Sequence, residues 1–146
     1  MESDADRPKL IALDLGERRI GLAVSGPGGM ALPAGHIVRG KLASDVQQVI
    51  SAAQERQARG VVVGIPYTLD GKAGEAAKLA RGFIRALRRA ISEESLAIYE
   101  MDERYTSVEA EGLLRESGVQ PSRDRASVDE TAAMLILARY LVSPES

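Results

Sequence analysis

Three acidic residues stand where an open α/β sheet would bring them together. Asp14 interrupts the apolar run Leu10-Ile-Ala-Leu-Asp-Leu-Gly16, and Glu103 follows the strand-like run Tyr99-Glu-Met-Asp102. Asp129 sits two residues into Ser127-Val-Asp-Glu-Thr-Ala-Ala133, a pattern that opens a helix. A carboxylate inside an apolar strand is costly unless positive charge compensates it. Oxygen-rich carboxylate clusters are the ligand sets that Mg²⁺ and Mn²⁺ favour. Taken singly, each acid has a plain structural reading. Asp14 suits a turn ahead of Gly16, Glu103 an ion pair with Arg104, and Asp129 the first turn of a helix. Together on one sheet they read as a metal site.

Composition narrows the alternatives. At 146 residues with 45% hydrophobic content, the chain is expected to form one folded domain over 9–142 behind a disordered tail over 1–8. It has no cysteine, which removes disulfides, thiolate zinc sites and cysteine nucleophiles. Its one histidine, His36, excludes a zinc site built from several imidazoles and reads as an edge-strand or surface residue. With 3% aromatic residues, a base-stacking platform for single strands is not expected. No apolar run is long enough to span a membrane and the N-terminus is too acidic for a signal peptide, so the expectation is a cytoplasmic protein without a membrane partner. A net charge of −2 weighs mildly against nucleic-acid binding, but 15 of the 19 basic residues are arginine, the side chain suited to bidentate phosphate contacts.

Hydrophobic periodicity predicts the element order. Strands are expected over 9–15, 19–25 and 30–38, the last interrupted by Pro33 and therefore at a sheet edge. Short turns at Gly16-Glu-Arg18 and Gly26-Pro-Gly-Gly29 make these three an antiparallel meander. Leu42, Val46, Val49, Ile50 and Ala53 then follow helical spacing, with Ser44 and Gln47 as a capping box. Val61-Val-Val-Gly-Ile65 is continuous, as for a strand covered on both faces. A helix over 74–91 carries Leu79, Ala80, Phe83, Ile84, Leu87 and Ile91 on its apolar face, with Lys78, Arg81, Arg85, Arg88 and Arg89 opposite. A fifth strand over 95–101, a helix from Thr106 to about 117, a polar loop over 118–125 and a final helix opened by a capping box at Ser127–Glu130 complete the chain. The result is an α/β protein with a mixed five-stranded sheet flanked by helices, which by analogy is the order of ribonuclease H-like folds.

Four segments carry a resemblance to a known family: Asp14-Leu-Gly-Glu-Arg-Arg-Ile-Gly21, Val63-Gly-Ile-Pro66 with Asp70-Gly71, Asp102-Glu-Arg-Tyr-Thr-Ser107, and Val128-Asp-Glu-Thr-Ala-Ala133. In this order and spacing the chain resembles the YqgF/RuvX family, the small bacterial branch of RuvC-like nucleases. The resemblance implies a ribonuclease H-like fold and a divalent-metal nuclease that matures the 5′ end of 16S ribosomal RNA, with Holliday-junction cleavage as the competing activity. It also implies that Asp14, Glu103 and Asp129 are the metal-binding, catalytic acids.

Such a site would use two Mg²⁺ or Mn²⁺ ions to activate water and stabilise both the scissile phosphate and the leaving oxygen. Adjacent strand residues point to opposite faces, so only one of Asp102 and Glu103 can face the metal; Glu103 is preferred, with Asp102 and Arg104 as supporting residues. Arg19, Arg123 and Arg125 are the candidate contacts to precursor rRNA or branched DNA. A junction has two strands to cut, so paired cleavage would favour a homodimer; the sequence alone leaves monomer and homodimer open. Two other classes compete. Asp14-Leu-Gly16 also resembles the first phosphate loop of actin-like ATPases, but the chain is short for two such domains and has no second glycine-rich loop. A non-catalytic nucleic-acid docking module would be expected to have lost the acids, and all three are present.

Overall fold

In the computed structural model the described residues are 9–66, 74–91, 96–102 and 125–142, the last segment with side chains over 130–141. The expected N-terminal tail, the helix over 106–117 and residues 118–124 of the expected loop lie outside them. Among the described residues the elements are β1 (Leu10–Leu15), β2 (Arg19–Ser25), β3 (Ala31–Val38), α1 (Leu42–Glu55), β4 (Gly60–Ile65), α2 (Glu75–Ala90), β5 (Ala97–Asp102) and α3 (Arg125–Val142). The five strands form one sheet in the order β3-β2-β1-β4-β5. β1 is antiparallel to β2 and parallel to β4, and β4 is parallel to β5. The mixed sheet anticipated from the sequence is therefore the one observed, with the Pro33 strand outermost.

Strand alternation divides the core into two layers. Ile11, Leu13, Ile20, Leu22, Val61 and Val63 face α1 and α2, where Val46, Val49, Phe83, Ile84 and Leu87 cover them. Leu10, Ala12, Ala23, Val62 and Met101 face the other way, onto Ala133, Ile136 and Leu137 of α3. Val61, Val62 and Val63 have no solvent exposure, which is why this strand reads as an unbroken apolar run. Burial of a side chain such as Phe83 or Ile136 contributes roughly 1.5–3 kcal/mol, and the entropy of ordering the chain consumes most of the sum. Among the described residues no helix is long and apolar enough to cross a membrane.

Two apolar positions differ from expectation. Leu79 is 66% exposed, because the buried stripe of α2 runs through Ala77, Ala80, Ile84 and Leu87 and leaves position 79 beside it. Leu42 begins α1 and is likewise exposed. Two predicted capping boxes are also displaced, and a third, at Thr106–Glu109, lies outside the described residues. α1 starts at Leu42 rather than after Ser44, and its cap residue Lys41 makes no side-chain cap bond. Asp45 does that work instead: its carboxylate accepts the Gly40 N–H at 2.9 Å and the Arg39 Nε–H at 3.4 Å. α3 already includes Arg125, so Ser127 does not open it and no acid lies in its first turn. Glu130, read as the reciprocal half of that box, is used elsewhere.

Asp45 is fully buried, and its partner Arg39 is mostly so. Asp45→Ala is expected to lower stability by about 3 kcal/mol, because it strands a guanidinium and a backbone donor. The midpoint of urea unfolding reads this directly. Ser44→Ala, which the capping-box reading would make comparably costly, is expected to change the midpoint by less than about 0.5 kcal/mol equivalent.

Candidate active site at the carboxyl ends of the central strands

Because β1, β4 and β5 are parallel, their carboxyl ends meet at one end of the sheet. Asp14 is the fifth of six residues in β1 and shares the α3 face with Leu10 and Ala12. It lies opposite Gly21 of β2. Leu13 is in register with Val63, which places Gly64 beside Asp14 on the other flank, and Gly64 in turn pairs with Met101 of β5. Both strand neighbours of Asp14 thus lack side chains. Asp14 as a whole is 7% exposed, a depth tolerated for a carboxylate only where donors or cations offset the lost hydration.

The segment just after Asp14 is held from two sides. The Gly16 N–H donates to the Arg19 carbonyl at 2.9 Å, and the Gly16 carbonyl accepts from the Arg39 guanidinium at 2.9 Å. A Cβ at position 16 would stand 2.8 Å from the Arg19 carbonyl oxygen, so the turn requires glycine. Arg39 also donates its backbone N–H to the Arg18 carbonyl, at 2.8 Å, and lies 5.8 Å from the centre of the Phe83 ring. One side chain therefore ties the β1–β2 turn to α1, through Asp45, and to α2.

α3 crosses the same face diagonally. Near its start, Glu130 accepts the Gly35 N–H of β3 at 2.9 Å. Near its end, the Tyr140 ring meets Tyr99 of β5 with centroids 5.2 Å apart. Gly35 adopts φ +86°, a left-handed conformation that glycine alone takes without strain, and lies where the β2–β3 register shifts. Its neighbour His36 pairs with Gly21, the partner of Asp14. The small residues Ala12, Ala23, Ala132 and Ala133 are all fully buried and let α3 approach the sheet closely.

Against this frame the expected site residues fall as follows. Asp14 occupies the buried position described. Asp129 lies in α3 immediately before Glu130, as the fifth residue of that helix rather than in its first turn, and the side chains of Asp129 and Arg125 are outside the described residues. Glu103, Arg104 and Arg123 are outside them altogether. Asp102 is the half-buried last residue of β5, and its even position shares the α2 side with Ile98, which packs on that core, and Glu100, which pairs with Arg88 at 3.9 Å. The odd positions Tyr99 and Met101 face α3. Arg19 opens β2 in the same alternation as Gly21 and is half-buried, diagonal to Asp14. His36 is exposed in β3, as anticipated. Sequence reasoning missed Arg39, Asp45 and the Glu130–Gly35 bond. Glu130 did carry a signal, its position next to Asp129, but local pattern assigned it to a cap.

A mixed sheet in this order, with a buried carboxylate near the end of its first strand and a long helix across that face, is a ribonuclease H-like fold. A solved structure of Thermus thermophilus RuvC, in complex with Holliday junction substrate, has the same fold with a TM-score of 0.61 at 15% identity, over 94% of this chain and 96% of that one. The chain belongs to the RuvX family, whose model, described as Holliday junction resolvase, matches residues 8–143. A relative from Synechococcus elongatus, named "Putative pre-16S rRNA nuclease", is 41% identical over 132 residues, 90% of this chain and 87% of that protein. One from Rhodococcus erythropolis with the same name is 40% identical over 143 residues, 94% of this chain and 80% of that protein.

The Glu130 carboxylate is the acceptor that anchors α3 to β3. Glu130→Ala is expected to cost about 1–2 kcal/mol, while Glu130→Gln, which keeps an acceptor oxygen, retains most of that. Amide exchange at Gly35 measures the contact itself: it should accelerate in the alanine variant and stay slow in the glutamine one.

Proposed function

We propose that the protein is a divalent-metal-dependent nuclease that hydrolyses phosphodiester bonds in 5′-end processing of the 16S ribosomal RNA precursor. The observation that carries this reading is the Asp14 carboxylate, buried between two glycine positions at the carboxyl ends of the parallel strands in a RuvX-family chain. Ligand sites of open α/β sheets lie at those strand ends. The relatives' names supply the substrate class, and residues 9–142 are taken as a single catalytic domain acting in the cytoplasm.

Among the described residues no three His, Cys, Asp or Glu side chains come together as a metal-binding group. Asp14 nonetheless fits a hard cation: it offers oxygen donors, and on either side its strand neighbours contribute backbone alone. Mg²⁺ or Mn²⁺, when bound, supplies an activated water and stabilises charge on the phosphate. In this reading Asp14, Glu103 and Asp129 hold the cations. Glu103 is chosen over Asp102 because Asp102 shares the α2 side of β5 with Ile98 and Glu100, away from the face of Asp14. Asp102 and Arg104 then orient the acid between them. Arg19, diagonal to Asp14, contacts the scissile strand, and Arg123 and Arg125 contact its flanks. The Glu130–Gly35 bond supports this assembly by fixing the start of α3 at the level of Asp14.

The description of the family model favours one second reading, resolution of four-way DNA junctions, for which the active species would be a homodimer rather than a monomer. A cleavage assay with Mg²⁺ or Mn²⁺, comparing an RNA that spans the precursor 5′ end with a synthetic four-way DNA junction, separates them. Preferential cutting of the RNA is expected; preferential symmetric cutting of the junction would select the second reading. Asp14→Asn and Glu103→Gln should each lower kcat/KM by ~10³ or more, as loss of a group stabilising transition-state charge does. Asp102→Asn should cost no more than about tenfold, the lower end for a residue acting through another. Full activity in Asp14→Asn would sink the metal-site reading.

A further inference from the structure

α2 carries a charge out of proportion to the rest of the chain. Its 16 residues include five basic side chains, Lys78, Arg81, Arg85, Arg88 and Arg89, and one acid, Glu75. That is a net +4 in a protein whose total is −2, so the remainder carries −6. All five are exposed, on the side opposite the buried stripe of Ala77, Ala80, Ile84 and Leu87. They recur at spacings of three and four, which stacks them along one face for about 16 Å of helix. Arg81, Arg85 and Arg88 line one surface hollow together with Ile84 and Glu100. Clustered like charges repel one another, so a ridge of this kind is stabilised by an anionic partner.

The position of the ridge sets what that partner does. α2 covers the sheet face opposite α3 and Asp14. Its middle is level with the Asp14 end of the sheet, because Phe83 lies against Arg39 and Arg39 is bonded to Gly16. From there the helix runs back along β5, the last strand on that side of the described sheet: Arg88 meets Glu100, the fourth of its six residues, and Arg88 and Ile91 line a hollow with Leu96 and Ala97 at its start. A strand bound for cleavage beside Asp14 would not cross the sheet to reach α2. A flank leaving the site around the β5 edge would lie along it.

We infer that the arginine face of α2 is a second nucleic-acid surface, which holds the phosphodiester backbone of a substrate flank outside the cleavage site. The contact is to phosphate and carries no sequence preference. The inference takes its ligand class from the nuclease reading but does not depend on the reaction, and a binding experiment tests it apart from cleavage.

The experiment measures affinity of the full-length Asp14→Asn protein, between 50 and 300 mM salt, for two ligands: a hairpin RNA with single-stranded flanks and a four-way DNA junction. The test variant adds Lys78→Gln, Arg85→Gln and Arg89→Gln, leaving the Arg88–Glu100 pair intact. A matched variant removes the same charge at the other end of the sheet, through Lys9→Gln, Arg56→Gln and Arg59→Gln. Each lost phosphate contact flattens the slope of log K against log salt by about 0.7–0.9, so the α2 variant should lose about two units while the matched variant loses little. Replacing the α2 residues by arginine or lysine of like charge should restore the slope, and Glu100→Gln should tighten binding about twofold by removing a charge that repels phosphate. Loss with both ligands would assign the surface to backbone in general; loss with one alone would name RNA or DNA as its ligand. An unchanged slope in the α2 variant, or an equal loss in the matched one, overturns the inference. Should the Asp14→Asn protein bind neither ligand, the nuclease reading falls with it. Binding that depends on α2, together with no cleavage of either ligand by the protein that retains Asp14, would remove the reaction and leave the surface.

Discussion

The parallel pair β1 and β4 is covered on both faces, and the rest of the architecture follows from that coverage. Val61, Val62 and Val63 are completely inaccessible, and Ile11, Ala12 and Leu13 beside them are too. No single helical layer can bury alternate residues of a strand on opposite faces, so α1 and α2 must cover one side and α3 the other. A polar group in the middle of such a strand would have no water within reach. Within the described strands the one buried charge is Asp14, and it stands one residue from the end of β1, where the strand stops.

Holding that end in place falls to contacts that are modest individually. Arg39 joins the β1–β2 turn, the start of α1 and the Phe83 ring of α2, and buried Asp45 fixes the guanidinium that does so. On the opposite face, Glu130 ties the first half of α3 to β3 and the Tyr99–Tyr140 contact ties its last turn to β5. Each bond is worth one to a few kcal/mol, and together they fix the frame around Asp14. The two faces therefore divide the labour: the α1–α2 side makes the end of β1 rigid, and the α3 side sets what is delivered to it.

Much of this was legible in the sequence, and the exceptions share a cause. The five strands were visible because each has a signal confined to its own residues: the unbroken Val61–Val63 run, Pro33 in an edge strand, the glycine turns. Asp14 stood out because a carboxylate in an apolar run violates the local pattern. The errors arose where two local readings were equally good and a distant partner chose between them. Ser44 and Asp45 are both acceptable first-turn residues, and Arg39 selects Asp45. Glu130 suits a capping box, yet its acceptor is used by a glycine in β3. Leu79 sits beside a helical stripe that is decided by which face meets the sheet. Arg39 itself was invisible, since its partners are Gly16, Asp45 and Phe83, brought together only by the complete fold.

The hydrogen bond from Gly35 to Glu130 joins residues 95 positions apart, and the layer it anchors is made from the last part of the chain. Until α3 has been synthesised, one face of the sheet, Leu10, Ala12, Ala23 and Val62, has no cover, and β3 has no acceptor for its turned-out glycine. Closing so long a loop is slow compared with folding the meander. A chain synthesised only as far as β5 therefore carries the strand of Asp14 without the helix that covers the face it shares. The order of elements thus sets a condition on timing: the cover over the face that Asp14 shares arrives only after all five strands of the sheet.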